Sequence, residues 1–162
     1  MMLEGGQCKT NAANELTKVL VIDDEAIIVK RLKTLMEGLG YRVTAFTDSE
    51  AALEKLKSEC FDVVITDLKM RKNDGLRILE AAKRKDKSTR VIIITGFGDR
   101  ECVNEVLKKG AAGCISKPFK IEDLQQAIAL RFPDPVTTSF SSLIGDKMYS
   151  ISRTPIPFRA AT

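Results

Sequence analysis

The chain has 162 residues, 44% of them hydrophobic and 30% charged, which is enough for one domain with a full core and short flanking segments. It contains no histidine, which excludes Ser-His-Asp and Cys-His catalysis, histidine-ligated metals and a phosphohistidine within the chain. The formal charge of +4 is spread along the sequence without a long basic run, so it is only a weak indication of nucleic-acid binding.

Residues 1–17 are polar and non-periodic, which predicts a flexible leader. They lack the basic start and the apolar stretch of a signal peptide. No apolar run in the chain approaches the roughly 20 residues of a membrane-spanning helix. These features predict a cytoplasmic protein without membrane contact. The four cysteines lack metal-ligand spacing and are expected to be reduced thiols: Cys8, Cys60, Cys102 and Cys114.

Short strand-like runs alternate five times with amphipathic segments of helical spacing. The runs at 18–22, 63–66 and 91–94 are almost wholly apolar, which is typical of strands buried on both faces. The runs at 42–46 and 112–115 are weaker and are predicted to be edge strands. Gly40 ends the first helix, and Asp48 or Ser49 caps the second.

This alternation predicts a single α/β domain over residues 18–131, with a parallel sheet and helices on both faces. Placing the weak strands at the edges gives the order 2-1-3-4-5, the flavodoxin-like doubly wound arrangement. Residues 132–162 hold four of the five prolines among many serines and threonines, so they are predicted to be a linker or tail, with one short element at 142–149.

Polar residues terminate four of the predicted strands, and the carboxyl ends of parallel strands share one edge of a sheet. Taken singly, each residue has an ordinary explanation as a helix cap, a loop carboxylate, a strand-end hydroxyl or a solvated lysine. Their convergence favours a common site, formed by Asp23, Asp24, Asp67, Thr95 and Lys117.

Three carboxylates in one pocket would raise one another's pKa unless a cation compensates, and an all-oxygen site suits Mg²⁺. Lys117 and Thr95 would face an anion attached to Asp67. The set therefore predicts phosphoryl transfer to Asp67, whose carboxylate needs no protein base because it has no proton to lose. Without histidine in the chain, the donor must be another molecule.

Four segments, VLVIDDE, VVITDLKM followed by DG, VIIITGFGD and GAAGCISKPF, resemble the receiver domain of two-component response regulators across residues 18–131. The wording ITGFGD is most similar to receivers of nitrogen-regulator-type transcriptional activators. The resemblance implies that Asp67 is the phosphoacceptor and that the Lys117–Pro118 peptide is cis. It also implies direct Mg²⁺ ligation by Asp24, Asp67 and the Lys69 carbonyl, a water-mediated contact from Asp23, and phosphoryl binding by Thr95 and Lys117.

The resemblance further implies a switch in phosphorelay signalling rather than an enzyme acting on a separate substrate. A sensor histidine kinase would donate the phosphoryl group, and the domain would assist its own phosphorylation and dephosphorylation. Output would be a contact with a downstream protein or domain, or a homodimer, through the face of the fourth helix, fifth strand and fifth helix. Such output includes transcription regulation, without direct nucleic-acid binding by this chain.

Three residues depart from the family pattern. Arg71 follows Met70 where the family usually has proline, and Cys114 stands where it often has tyrosine or phenylalanine. We interpret Cys114 as a small strand residue rather than a redox sensor, and its size puts an aromatic switch step in doubt. Lys69 lies two residues past Asp67, beside the path of an attacking water, and we hypothesise that it alters the lifetime of the phosphoryl group.

Two other readings remain at this stage. A non-phosphorylated pseudo-receiver would act as a constitutive protein-interaction module, which Arg71 and Cys114 mildly favour and the complete site opposes. Enzymes of similar topology fit less well. A haloacid-dehalogenase-type phosphatase needs a second aspartate where Lys69 stands, and a flavin-binding protein needs a phosphate-cradling loop where two carboxylates follow the first strand.

Overall fold

The computed structural model describes residues 16–71, 74–96, 100–129 and 148–149. Residues 142–147 of the tail element predicted at 142–149, and nearly all of the rest of the predicted leader and tail, lie outside these residues. The described elements are β1 (Lys18–Ile22), α1 (Ala26–Gly38), β2 (Arg42–Phe46), α2 (Ser49–Ser58), β3 (Val63–Asp67), α3 (Asp74–Lys85), β4 (Arg90–Thr95), α4 (Arg100–Lys108), β5 (Gly113–Ser116), α5 (Ile121–Ala129) and β6 (Met148–Tyr149).

The first five strands are parallel and lie in the predicted order β2-β1-β3-β4-β5. β5 was predicted to be an edge, but β6 pairs beyond it in the antiparallel direction, with Tyr149 opposite Cys114 and Met148 opposite Ile115. The unpaired N–H and C=O groups of an edge strand offer such a pairing site whatever the side chains are, so hydrophobic periodicity does not predict it.

Two hydrophobic layers enclose the sheet because the central strands alternate their apolar side chains between both faces. On one face, Val21, Ile65 and Ile92 pack with residues of α1 and α5. On the other face, Leu20, Val64 and Ile93 pack with residues of α2, α3 and α4. The carboxyl ends of the strands, where the polar residues lie, are not covered by these layers and form one edge of the sheet.

Local chemistry sets the helix boundaries. Asp48 caps α2, since its carboxylate accepts hydrogen bonds from the backbone N–H groups of Glu50 and Ala51. After α1 and α4, Gly40 and Gly110 adopt φ values of +87° and +100°, in the left-handed region that favours glycine. Of the two residues that the sequence offered as the N-cap of α2, the structure uses Asp48 and not Ser49.

Fewer of the apolar residues in and just after α1 are buried than their helical spacing suggests. Val29, Leu32 and Met36 are buried, whereas Leu35 and Leu39 are 37% and 45% exposed although they continue the helical spacing. None of the helices in the described ranges is long and apolar enough to cross a membrane.

The cysteines differ from the expectation of reduced thiols. Cys102 and Cys114 are free, but Cys60 is disulfide-bonded, and its partner lies outside the described residues. Sequence spacing shows no pairing for Cys60, because a disulfide depends on proximity in space.

The buried sheet predicts a strong contrast between two isoleucines. Replacing Ile93, which is 0% exposed, by alanine should lower the free energy of unfolding by about 2–5 kcal/mol, because the cavity it leaves cannot fully collapse. Ile27→Ala is the matched control: that side chain is 80% exposed, and its loss should change the free energy by no more than about 0.5 kcal/mol. Chemical denaturation measures both, and equal losses would contradict the assignment of the core.

Candidate functional site

Strand register brings the acidic residues together. In the parallel pairing of β1 with β3, Ile22 lies opposite Thr66, so the next residues, Asp23 and Asp67, lie side by side at the ends of these strands. Their side chains and that of Asp24 offer carboxylate oxygens that all lie within 4.8 Å of one another. Asp23 and Asp67 are buried and Asp24 is exposed, so the cluster is a pocket with one acidic residue at its mouth.

Lys117 enters this pocket from the loop after β5. Its Nζ lies 3.1 Å from Asp23 Oδ2 and 3.3 Å from Asp67 Oδ2, and 3.6 Å from Glu25 Oε1. Backbone pairing holds the loop, since the Lys117 N–H donates to the Thr95 carbonyl at 2.8 Å. The Lys117 side chain therefore contacts Asp67, the predicted phosphoacceptor, while its backbone is hydrogen-bonded to the end of β4.

The electrostatics of the pocket are those of crowded negative charge. Burial raises the pKa of Asp23 above its ordinary value, and neither the Glu25 N–H nor Lys117 offsets this fully. Burial alone would lower the pKa of Lys117, but the hydrogen bond from its ammonium to Asp23 and the charges of Asp67 and Asp23 outweigh it and raise the value. The ammonium thus stays charged and partly neutralises the cluster.

The donor set suits a divalent cation. Asp23, Asp67 and Glu25 lie around the Lys117 ammonium, and every side-chain donor in the acidic cluster of Asp23, Asp24 and Asp67 is a carboxylate oxygen. Hard cations such as Mg²⁺ and Ca²⁺ prefer oxygen ligands of this kind. The acidic residues predicted from the sequence are therefore brought together in an arrangement that fits such an ion.

The remaining predicted residues surround Asp67. The Lys69 N–H donates to Asp67 Oδ1 at 3.3 Å, and the Lys69 side chain is exposed. Thr95, at the end of β4, is buried, and its hydroxyl donates to the Gly96 carbonyl at 3.1 Å. The peptide between Lys117 and Pro118 is cis.

Gly75 is a residue of the site that sequence reasoning missed. A Cβ at this position would lie 2.4 Å from the Asp67 carbonyl oxygen and 2.6 Å from the Leu68 Cα, so α3 begins against the backbone of Asp67. The Asp-Gly pair at 74–75 indicates a turn and the start of a helix, but only the fold shows what the glycine touches.

Two of the departures from the family pattern have clear surroundings. Arg71, four residues past Asp67, is exposed, whereas Cys114 is fully buried in the layer formed with α2, α3 and α4. Burial raises the pKa of the Cys114 thiol to about 11, which keeps it protonated and poorly nucleophilic near neutral pH. This agrees with a small packing residue rather than a redox sensor.

Comparison with known proteins decides the family. Residues 19–129 match the model of the response regulator receiver domain. The chain belongs to this family. The flavodoxin-like order of strands and the resemblance found in the sequence are thereby confirmed.

Curated relatives differ in how much of their length the receiver occupies. The chain is 33% identical over 123 residues to the transcriptional regulatory protein FixJ of Bradyrhizobium diazoefficiens, covering 75% of the chain and 60% of FixJ. It is 32% identical to the transcriptional regulatory protein ZraR of Klebsiella oxytoca, covering 72% of the chain but 26% of ZraR. It is 31% identical to the sporulation initiation phosphotransferase F of Bacillus subtilis, covering 72% of the chain and 94% of that protein. The chain therefore spans only part of the two transcriptional regulators.

Solved structures agree with the fold. A receiver domain from Clostridium thermocellum is 39% identical, with a TM-score of 0.68 over 72% of this chain and 94% of that one. A response regulator from Burkholderia pseudomallei, solved with a phosphorylated aspartic acid, a calcium ion and citrate, is 25% identical with a TM-score of 0.65 over 69% of this chain and 66% of that one. The beryllofluoride-activated NtrC4 receiver domain, a dimer, is 32% identical, with a TM-score of 0.65 over 71% of this chain and 95% of that one.

The contact at Gly75 predicts that this receiver tolerates no side chain there. Gly75→Ala should lower the free energy of unfolding by about 1–3 kcal/mol, the usual cost of overpacking, because the Cβ collides with backbone rather than with a flexible side chain. Gly38→Ala is the matched control, with nothing within 4 Å of the added Cβ, and in α1 it should be neutral or stabilising by up to about 1 kcal/mol. Urea denaturation of both variants tests this, and a stable Gly75→Ala protein would contradict it.

Proposed function

We propose that this receiver is a Mg²⁺-dependent switch that accepts a phosphoryl group from a sensor histidine kinase onto Asp67. One observation carries the proposal: the Asp67 carboxylate lies within 3.3 Å of the Lys117 ammonium and within 4.8 Å of two further carboxylates. A nucleophile, a cation for the transferred group and oxygen ligands for a metal thus occupy one pocket.

The transfer needs no base from the protein. An oxygen of ionised Asp67 attacks phosphorus, the new P–O bond forms, and the P–N bond to the donor histidine breaks with its electron pair moving to the imidazole nitrogen. Lys117 is placed to bind the phosphoryl oxygens, and the Thr95 hydroxyl can join it by turning from the Gly96 carbonyl. The contribution of these residues is positioning and charge stabilisation.

The metal would be held by Asp24, Asp67 and the Lys69 carbonyl, with Asp23 contacting it through water. Mg²⁺ suits this small carboxylate set, since it keeps several waters and takes few protein ligands. Bound there, it would neutralise negative charge on the phosphoryl group and on the aspartates. Burial, more than the charge of Asp67, raises the pKa of Asp23, and a cation bound beside this carboxylate would favour its ionised form.

The domain would act on itself rather than turn over a separate substrate. Phosphorylation of Asp67 would engage Lys117, which is already 3.3 Å away, and would turn the Thr95 hydroxyl from the Gly96 carbonyl. The backbone hydrogen bond from Lys117 to Thr95 would link these changes to the ends of β4 and β5. A shift of this kind biases the face of α4, β5 and α5 between two states, and a bias of a few kcal/mol makes a minor state dominant. Output through this face would be a contact with another protein or domain, or a dimer such as that of the NtrC4 receiver.

Intact mass after incubation with acetyl phosphate tests the acceptor directly. With Mg²⁺ the mass should rise by one phosphoryl group, and without Mg²⁺ the gain should fall sharply. Asp67→Asn is the control and should show no gain, since an amide is a poor nucleophile. Absence of any gain in the unaltered protein would contradict the proposal and leave a receiver fold that works by binding alone.

Lys69 is expected to lengthen the life of the phosphoryl group. Its exposed side chain follows Asp67 by two residues and borders the approach of water to phosphorus. Replacement by asparagine shortens the side chain and supplies an amide that can orient a water, so dephosphorylation should speed up about two- to tenfold, the range of one hydrogen bond. Loss of the added mass after removal of acetyl phosphate measures the rate, and an unchanged rate in Lys69→Asn would rule out this role.

A further inference from the structure

Glu25 is an acidic residue at the pocket that neither the metal nor the phosphoryl contacts require. It follows the aspartate pair and is the N-cap residue of α1, yet its side chain makes no capping hydrogen bond. Its carboxylate Oε1 instead lies 3.6 Å from Lys117 Nζ. The side chain is 61% exposed, so this contact is at the solvent boundary of the pocket.

The backbone of Glu25 restricts where its side chain can go. Its N–H donates to Asp23 Oδ1 at 2.9 Å, and its carbonyl accepts from the N–H groups of Ile28 and Val29 at 3.0 and 3.1 Å. The residue is therefore anchored on both sides, by the acidic pocket and by the first turn of α1. These bonds fix the backbone from which the Glu25 carboxylate reaches Lys117.

Two sets of anionic groups compete for the Lys117 ammonium: the carboxylates of the pocket and an incoming phosphoryl group. In the structure its ammonium is shared among Asp23, Asp67 and Glu25, at 3.1, 3.3 and 3.6 Å. An incoming phosphoryl group needs the same ammonium, and it is itself anionic. A carboxylate that attracts Lys117 and also repels the donor opposes phosphorylation on both counts.

We propose that Glu25 is a positioning residue that competes with an incoming phosphoryl group for the Lys117 ammonium and thereby limits the rate at which Asp67 is phosphorylated. This inference rests on the proposed function, since it assumes that Asp67 is the acceptor. It assigns to Glu25 a restraining role, distinct from the supporting roles of the aspartates and the lysine. The contact is partly exposed, so its effect is that of a solvent-screened ion pair.

Three variants of the full chain separate position from charge. Glu25→Gln keeps the shape and removes the charge, whereas Glu25→Asp keeps the charge but withdraws it from Lys117 by one methylene. Glu50→Gln is the matched control, because Glu50 is similarly exposed and its ion pair with Arg77 joins α2 to α3. The measurement is the second-order rate constant for phosphorylation by acetyl phosphate with Mg²⁺, followed by intact mass, beside the thermal midpoint of unfolding.

We expect Glu25→Gln to raise the rate constant about two- to fivefold, the scale of a screened ion pair. Glu25→Asp should also raise it, Glu50→Gln should leave it unchanged, and no Glu25 variant should lower the thermal midpoint enough to explain the change. Equal rates for both Glu25 variants and the unaltered protein would overturn the inference. A lower rate constant for Glu25→Gln would also overturn it. So would a faster Glu25→Gln beside a Glu25→Asp with the rate constant of the unaltered protein, because the charge alone would then matter and not its position. If the unaltered protein takes no phosphoryl group, the proposed function itself fails.

Discussion

Placing like charges together at the end of a buried sheet is the constraint on which this site depends. Asp23 and Asp67 are buried beside each other, and Lys117 contacts both. Burial of charge is unfavourable unless partners compensate, and burial raises the pKa of Asp23 although Lys117 is its partner. A metal ion bound here would stabilise the buried carboxylates. A phosphoryl group, being anionic, would add to the negative charge that such an ion offsets.

The rest of the fold holds the charges in place. Hydrogen bonds in the parallel sheet set Asp23 next to Asp67, and two apolar layers prevent the strands from shifting in register. The start of α3 packs against the backbone of Asp67 and Leu68 at Gly75, where only glycine fits. The site is rigid at its acidic base and more open toward Asp24, Glu25 and Lys69, which are exposed. That contrast suits a pocket whose acceptor is fixed while its rim meets a donor.

Signal transmission would follow the connection from the pocket to the far strands. Lys117 contacts the acidic residues through its side chain and β4 through its backbone, so its movement bears on β5 and on the helix that follows. The β5 edge is paired with the short β6, which brings Met148 and Tyr149 to the strand that precedes Lys117. Cys114 stands where the family often has tyrosine or phenylalanine, and it is a buried thiol without an aromatic ring that could change its orientation.

Sequence alone determined the layers, the strand order and the residues of the acidic pocket, because continuous apolar runs and strand-end polar residues are local patterns with one common solution in a parallel sheet. The exposed faces of Leu35 and Leu39, the pairing of β6 and the disulfide of Cys60 did not follow from such patterns. Each depends on which surface lies opposite, and periodicity describes only one partner of a contact. The same holds for Gly75 and Glu25: their residue types are unremarkable in the sequence. Only the tertiary structure placed one against the Asp67 backbone and the other beside Lys117, because both contacts join segments whose distance is decided by packing.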